Sequence, residues 1–259
     1  MSGSPEHDAD LDADPNARAE GGVSSPTSPP ISPPISLPIW LVVVGATVLG
    51  TALPVGLHYA EHGVFNGHQL ALAFFFWLNA IIALWEICLF LHIDLIRRQY
   101  EGFVRDYRGR ELDRVIDLFT SRVPLRRVLA TETWAEIWSS YSLFDESYSD
   151  KRSFGFFIDI GNGFTTLVPS LLFAYGMTFH ILPARALGII GLVISYQMLY
   201  GTLVYFTSFV LNGRFRGHRP FDLAIFVGLS NGLWTVFPIW AIGVSIWMIY
   251  NDSYAIFGG

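Results

Sequence analysis

The chain has 259 residues, 52% of them hydrophobic and 15% aromatic, with a mean hydropathy of +0.42, a balance that excludes an ordinary soluble domain. Its single cysteine, Cys88, excludes disulfides, thiolate zinc sites and iron–sulfur clusters within the chain. The net charge of -6 says little about the fold, because six acids lie between Glu6 and Glu20 at the N-terminus.

Residues 1–36 form an acidic tail rich in Ser, Pro, Asp and Ala that ends in the repeat PPISPPIS. Nothing in it can bury a core, so the composition predicts disorder passing into polyproline II. The leading segment is acidic and the first apolar run begins late, unlike a signal peptide.

From residue 37 to 252 the sequence predicts an all-α membrane domain. Five stretches are long enough to cross a hydrocarbon core of about 30 Å, which takes roughly 20 helical residues. They are residues 37–57, 69–93, 154–182, 186–211 and 223–250. Alternating short strands of the kind a barrel needs are absent, so the spans read as helices. The connection between the second and third spans carries two further helical stripes: Leu112, Val115, Ile116 and Phe119, then Trp134, Ile137, Trp138 and Tyr141. Both suit helices in the membrane interface, and equally the face of a small cap outside it. Of the sixteen basic residues, fifteen fall in the tail, this long connection and the segment 212–222, and only Arg185 falls on the other side. The bias places the N-terminus in the cytoplasm and the C-terminus across the membrane.

Glu86 in the second span and Asp159 in the third are the residues that carry chemistry. A carboxylate near a bilayer centre costs roughly 2.5–3.5 kcal/mol, so a membrane helix seldom holds one without a use. Counted from the ends of the spans, Glu86 lies about 12 Å deep and Asp159 about 7–8 Å, with Asn162 a turn deeper, while Asn231 lies about 13–14 Å deep. All four share one layer, which Trp85, Trp234, Tyr196, Gln197 and Tyr200 can also reach. This describes a polar, aromatic-walled pocket. The plainer alternatives are that the two acids pair with Arg97 or Arg152, that Asn162 and Asn231 join helices by hydrogen bonds, and that the tryptophans only pack. Histidines 62 and 68, six residues apart across a turn-like Asn66-Gly67, do not form a helical metal pair. Gly161-Asn162-Gly163 lies within a span, where glycines allow close helix packing rather than phosphate binding.

The run Trp138, Tyr141, Asp145, Tyr148, Phe154, Asp159 resembles, without a gap, the W-x2-Y-x3-D-x2-Y-x5-F-x4-E pattern of the emopamil-binding proteins, the sterol Δ8-Δ7 isomerases. Tyr200-Gly201 with Tyr205-Phe206-Thr207, and Asn231-Gly232-Leu233-Trp234 followed by Pro238, are similar to two further blocks of that family. The resemblance covers roughly residues 69 to 250 and implies a cofactor-free and metal-free isomerase that protonates the sterol 8,9 double bond and removes a proton from carbon 7. It implies catalytic roles for Glu86, Asp159 and Asn231, and substrate contacts from Asn162 and Trp234; Trp85, Tyr200 and Gln197 join them as candidate substrate contacts by their depth along the spans. The family's histidine before the second-span acid is Ile82 here, with Asn79 its candidate substitute. Its third-span glutamate is the shorter Asp159, its following threonine is Asn162, and an acid is replaced near Ser208. Expected partners are a sterol or other isoprenoid lipid and the surrounding membrane lipid, not nucleic acid; a homodimer stays open. A non-catalytic sterol or cationic-amphiphile binder, like the sigma-2 receptor relatives, and a membrane terpenoid cyclase are the alternatives.

Overall fold

A computed structural model describes residues 35–258. Seven helices follow one another: α1 (Ile39–His62), α2 (Gly67–Asp106), α3 (Glu111–Thr120), α4 (Thr131–Tyr141), α5 (Phe154–Phe179), α6 (Ala184–Leu211) and α7 (Pro220–Asn251). Five of them, α1, α2, α5, α6 and α7, are long and apolar enough to span a membrane, and the chain is a multi-pass membrane protein.

Helix ends follow local chemistry. α1 stops at Gly63, whose left-handed φ of 68° lets its N–H return to the Tyr59 carbonyl. The Asn66-Gly67 pair then starts α2, because the Asn66 side-chain oxygen accepts from the backbone N–H groups of His68 and Gln69. α2 has 40 residues, about 60 Å at 1.5 Å each, which is twice the hydrocarbon thickness. The second span was therefore placed correctly, but its helix does not end at residue 93. Arg97, Arg98 and Arg105 ride on the same rod beyond a kink at His92, and Arg97 is held to Glu101 one turn on. Hydropathy marks where lipid ends, not where a helix does.

The spans pair as α2 with α5 and α6 with α7, and α1 packs outside the first pair. Between the pairs, at the end far from the arginines, lies a core of Leu72, Phe75, Phe76, Phe173, Met177, Leu187 and Met248, with Phe75 and Phe237 stacked 5.2 Å apart. Gly163 lets α5 approach α2 closely, since a Cβ there would sit 2.9 Å from both the Ala83 carbonyl oxygen and the Glu86 Cβ. Gly161 faces open space, so only one of the two glycines serves the packing. Gly163→Val is expected to destabilise the protein by about 1–3 kcal/mol or more through overpacking. Thermal unfolding in detergent, with Gly161→Ala as the control that loses nothing, measures it.

The two helices of the long connection form as their spacing predicts, but the apolar faces turn inward. Val115, Leu118 and Trp138 are buried, while Ile116, Leu125 and Leu129 are left outside. The reason is that α2 continues past the membrane and offers α4 a protein surface. Trp138 donates its indole N–H to the Trp85 carbonyl at 2.6 Å, and Trp134 stacks on Trp85. A buried ion pair from Arg114 to Glu136 ties α3 to α4.

Most of the N-terminal tail falls outside the described residues, but its predicted boundary at residue 36 needs correction. β1 (Ser36–Pro38) pairs antiparallel with β2 (Arg122–Pro124), and Leu125 N–H donates to the Ile35 carbonyl. This two-stranded clip fastens the start of α1 to the α3–α4 connection, with Ile39, Leu118 and Val123 buried beneath it.

Candidate active site

A cavity of about 250 Å³ opens between the helix pairs, at the level where α4 meets the bundle. Six of the nine residues singled out from sequence line it: Glu86 and Trp85 on α2, Asp159 and Asn162 on α5, and Asn231 and Trp234 on α7. Glu86 is buried at 7% exposure, and its carboxylate lies near enough to Asp159 for their charges to interact. The Tyr148 hydroxyl faces Asp159 from outside the span. Among the described residues neither acid belongs to an ion pair, because Arg97 is taken by Glu101 and Arg152 by Asp150 at 3.1 Å. Snorkelling arginines therefore do not account for them.

The wall toward the arginine-rich end is aromatic. Trp138, Tyr141 and Tyr148 pack as a cluster with ring centroids 5.1–6.1 Å apart. The Tyr141 and Tyr205 hydroxyls are 3.1 Å apart, and Asn231 donates its side-chain N–H to Tyr141 at 3.2 Å and to the Val227 carbonyl at 2.8 Å. Burial pushes the Tyr141 phenol up to about 12 and Tyr148 well above its usual range, the nearby Asp159 charge adding to the effect. Both hydroxyls stay protonated at neutral pH and remain donors. Asp145 anchors this wall: fully buried, it holds Arg214 at 3.0 Å and accepts from the Ser147 backbone N–H.

Three sequence candidates fall elsewhere. Asn79 is 3% exposed, and its amide is spent on structure. It donates to Thr166 and Ser170 and accepts the Trp234 indole N–H at 2.9 Å. It fixes the ring that roofs the cavity and does not reach into it, so it is no substitute for a histidine at position 82. Gln197 donates to Asn162 and Thr165 and so holds a lining residue without lining the cavity. Tyr200 is 54% exposed on the outer face of α6, stacked on Tyr196. A position along a helix does not fix the face a side chain turns to, and the partners that fix it here cannot be read from one sequence.

No family model, curated protein or solved structure matches this chain. The site must be read from its own geometry.

That geometry adds residues the acids alone did not indicate. Phe119 of α3, Ile137 of α4, and Met198, Thr202 and Tyr205 of α6 also line the cavity, and Ile82 lies one turn before Glu86 on its wall. The stripes containing Phe119 and Ile137 are legible in the sequence, which leaves open whether they face the membrane interface or belong to a small cap. α2 and α7 meet through Asn79–Trp234, Phe75–Phe237 and His68–Trp240.

Proposed function

We propose that this chain is an integral-membrane isomerase that moves a ring double bond of a sterol or related isoprenoid from the Δ8 to the Δ7 position. The observation that carries the reading is the pair of acids, Glu86 and Asp159, facing one aromatic-walled cavity, with neither in an ion pair among the described residues. The resemblance of the Trp138-to-Asp159 run and of the Asn231–Trp234 block to the sterol isomerases supplies the reaction class.

A pair of carboxyl groups sharing one proton holds a donor and an acceptor at once. One acid adds its proton to carbon 9, the alkene electrons form that bond, and a tertiary cation is left at carbon 8. Its partner removes a proton from carbon 7, and the C–H electrons become the new double bond. The sterol gains one proton and loses one. Indole faces stabilise the intermediate by about 2 kcal/mol or more when desolvated. Trp234, held in place by Asn79, and Trp85, stacked on Trp134, are the rings available. Ligand pockets commonly run from about 300 Å³ upward, so in this reading a cavity of about 250 Å³ takes the reacting rings and leaves the remainder of the molecule to the surrounding lipid.

Incubation of the purified protein with a Δ8 sterol in heavy water is expected to yield the Δ7 isomer carrying deuterium at carbon 9. Recovery of unchanged, unlabelled sterol would overturn the isomerase reading. One observation favours a non-catalytic binder of the same kind of molecule: Ile82 lines the cavity where the isomerases carry histidine. In that case the sterol would protect the protein against thermal unfolding and leave unlabelled.

A further inference from the structure

At the arginine-rich ends of α2 and α5 lies a second cavity, of about 350 Å³, that the isomerase chemistry does not use. Arg97, Arg152 and Arg214 line it together with Glu101, Glu146 and Asp150. Arg97 comes three residues after Asp94, where apolar sequence gives out. Arg152 stands two residues before α5 and Arg214 three residues after α6. Three spans thus leave the apolar layer around this cavity, which puts it at the depth of lipid headgroups.

The charges are mixed and incompletely used. Each arginine holds one carboxylate, Arg97 with Glu101, Arg152 with Asp150 and Arg214 with Asp145. A guanidinium has five donors, so each keeps some for an anion. Glu146 is exposed and takes part in no ion pair among the described residues. The Ser147 hydroxyl, on a residue only 3% exposed, is buried without a hydrogen-bond partner at the cavity wall, against the first turn of α5.

A separate feature points to a lipid. On α2, Asp94, Arg97 and Glu101 follow one another at helical spacing beyond the kink at His92, and exposed Phe90 precedes it, so the helix changes from apolar to charged there. On α5, Phe157 and Phe164 are exposed about one and three turns into the helix that follows Asp150 and Arg152. The Phe90 and Phe164 rings meet edge-on at 5.5 Å across the seam, and Lys151 bridges to Asp94 at 2.8 Å where the apolar part ends. An acyl chain would lie along such a seam with its headgroup in the cavity above.

We propose that this cavity binds the headgroup of a phospholipid bearing a phosphodiester and a primary ammonium, with its chains along the Phe90–Phe164 seam. The arginines and Ser147 take the phosphate oxygens, and Glu146 and Glu101 accept from the ammonium. A quaternary ammonium has no N–H to give them. A purely anionic headgroup would bring its charge against three carboxylates.

The test uses the full chain, purified in detergent, stripped of lipid and followed by thermal unfolding. Phosphatidylethanolamine is expected to raise the midpoint at a concentration at least threefold below that needed of phosphatidylcholine or phosphatidylglycerol with the same chains. The double variant Arg97→Gln, Glu146→Gln changes two exposed side chains. It should abolish the preference and keep the lipid-free midpoint. The proposal is overturned by an equal response to phosphatidylcholine, by a stronger response to phosphatidylglycerol, or by a preference that survives in the double variant. Reproduction of the shift by inorganic phosphate alone would equally overturn it, as the mark of a free anion site. None of these outcomes depends on isomerase activity.

Discussion

Asp159→Asn is expected to lower Δ8-to-Δ7 turnover by about 10²–10⁴-fold, the usual contribution of a positioned acid or base, with little change in thermal midpoint. The substitution keeps the shape of the side chain and takes away its capacity to pass a proton. Glu86→Gln should cost as much, and the double variant little more than either alone, because the two groups act as a unit. Deuterium at carbon 9, measured beside turnover, checks that whatever product remains still forms by protonation there. A variant that has lost the acid leaves carbon 9 unprotonated, and one that has lost only the base can only send the cation back to the 8,9-alkene, which carries no hydrogen at carbon 9, so both return unlabelled sterol. Tyr200→Phe, on the outer face of α6, should leave both readouts unchanged. If Asp159→Asn turned over at the wild-type rate, the paired-acid mechanism would be finished.

The second large effect is on stability. Asp145 is fully buried and holds Arg214, itself 22% exposed, while capping the turn that carries Ser147 and Tyr148. Removing one member of a buried pair strands the other charge, at a cost of about 3–5 kcal/mol. Asp145→Ala should therefore lower the unfolding midpoint in detergent sharply, and Asp145→Ala with Arg214→Leu should recover much of the loss. Failure of the second change to restore anything would mean that the cap at Ser147, and not the ion pair, is what Asp145 supplies. Either way Tyr148 loses its mount, and the aromatic wall facing Asp159 with it.

Much of this architecture was legible in the chain. Five apolar runs predicted five helices within a few residues at most ends, because lipid forces apolar segments to satisfy their own backbone. The two acids stood out because they are expensive where they are, and both line the same cavity. What escaped was contact. Asn79 and Gln197 share the depth of the site, but an amide says nothing of which neighbour it will bond, and both turned out to hold other residues in place. The stripe of Trp134, Ile137, Trp138 and Tyr141 looked the same whether it met lipid or protein. The length of α2 beyond the apolar layer decided between them, and that length rests on packing with α4 rather than on hydropathy. Residues 35–38 carry too little sequence signal for a strand and gain their order from pairing with residues 122–125.

One irregularity in α7 governs how the cavity faces its contents. Residues Ala224–Leu229 form a π-helical turn, immediately before Asn231 and Trp234. Such a turn accommodates one residue more than the α-helix around it. It works as a phase shifter, setting buried Asp222 before the turn and Asn231 after it at angles that a regular helix could not offer together. Shortening the turn by a single residue would rotate everything before it by about 100° and send the anchored end of the helix out of alignment with the end that meets the ligand.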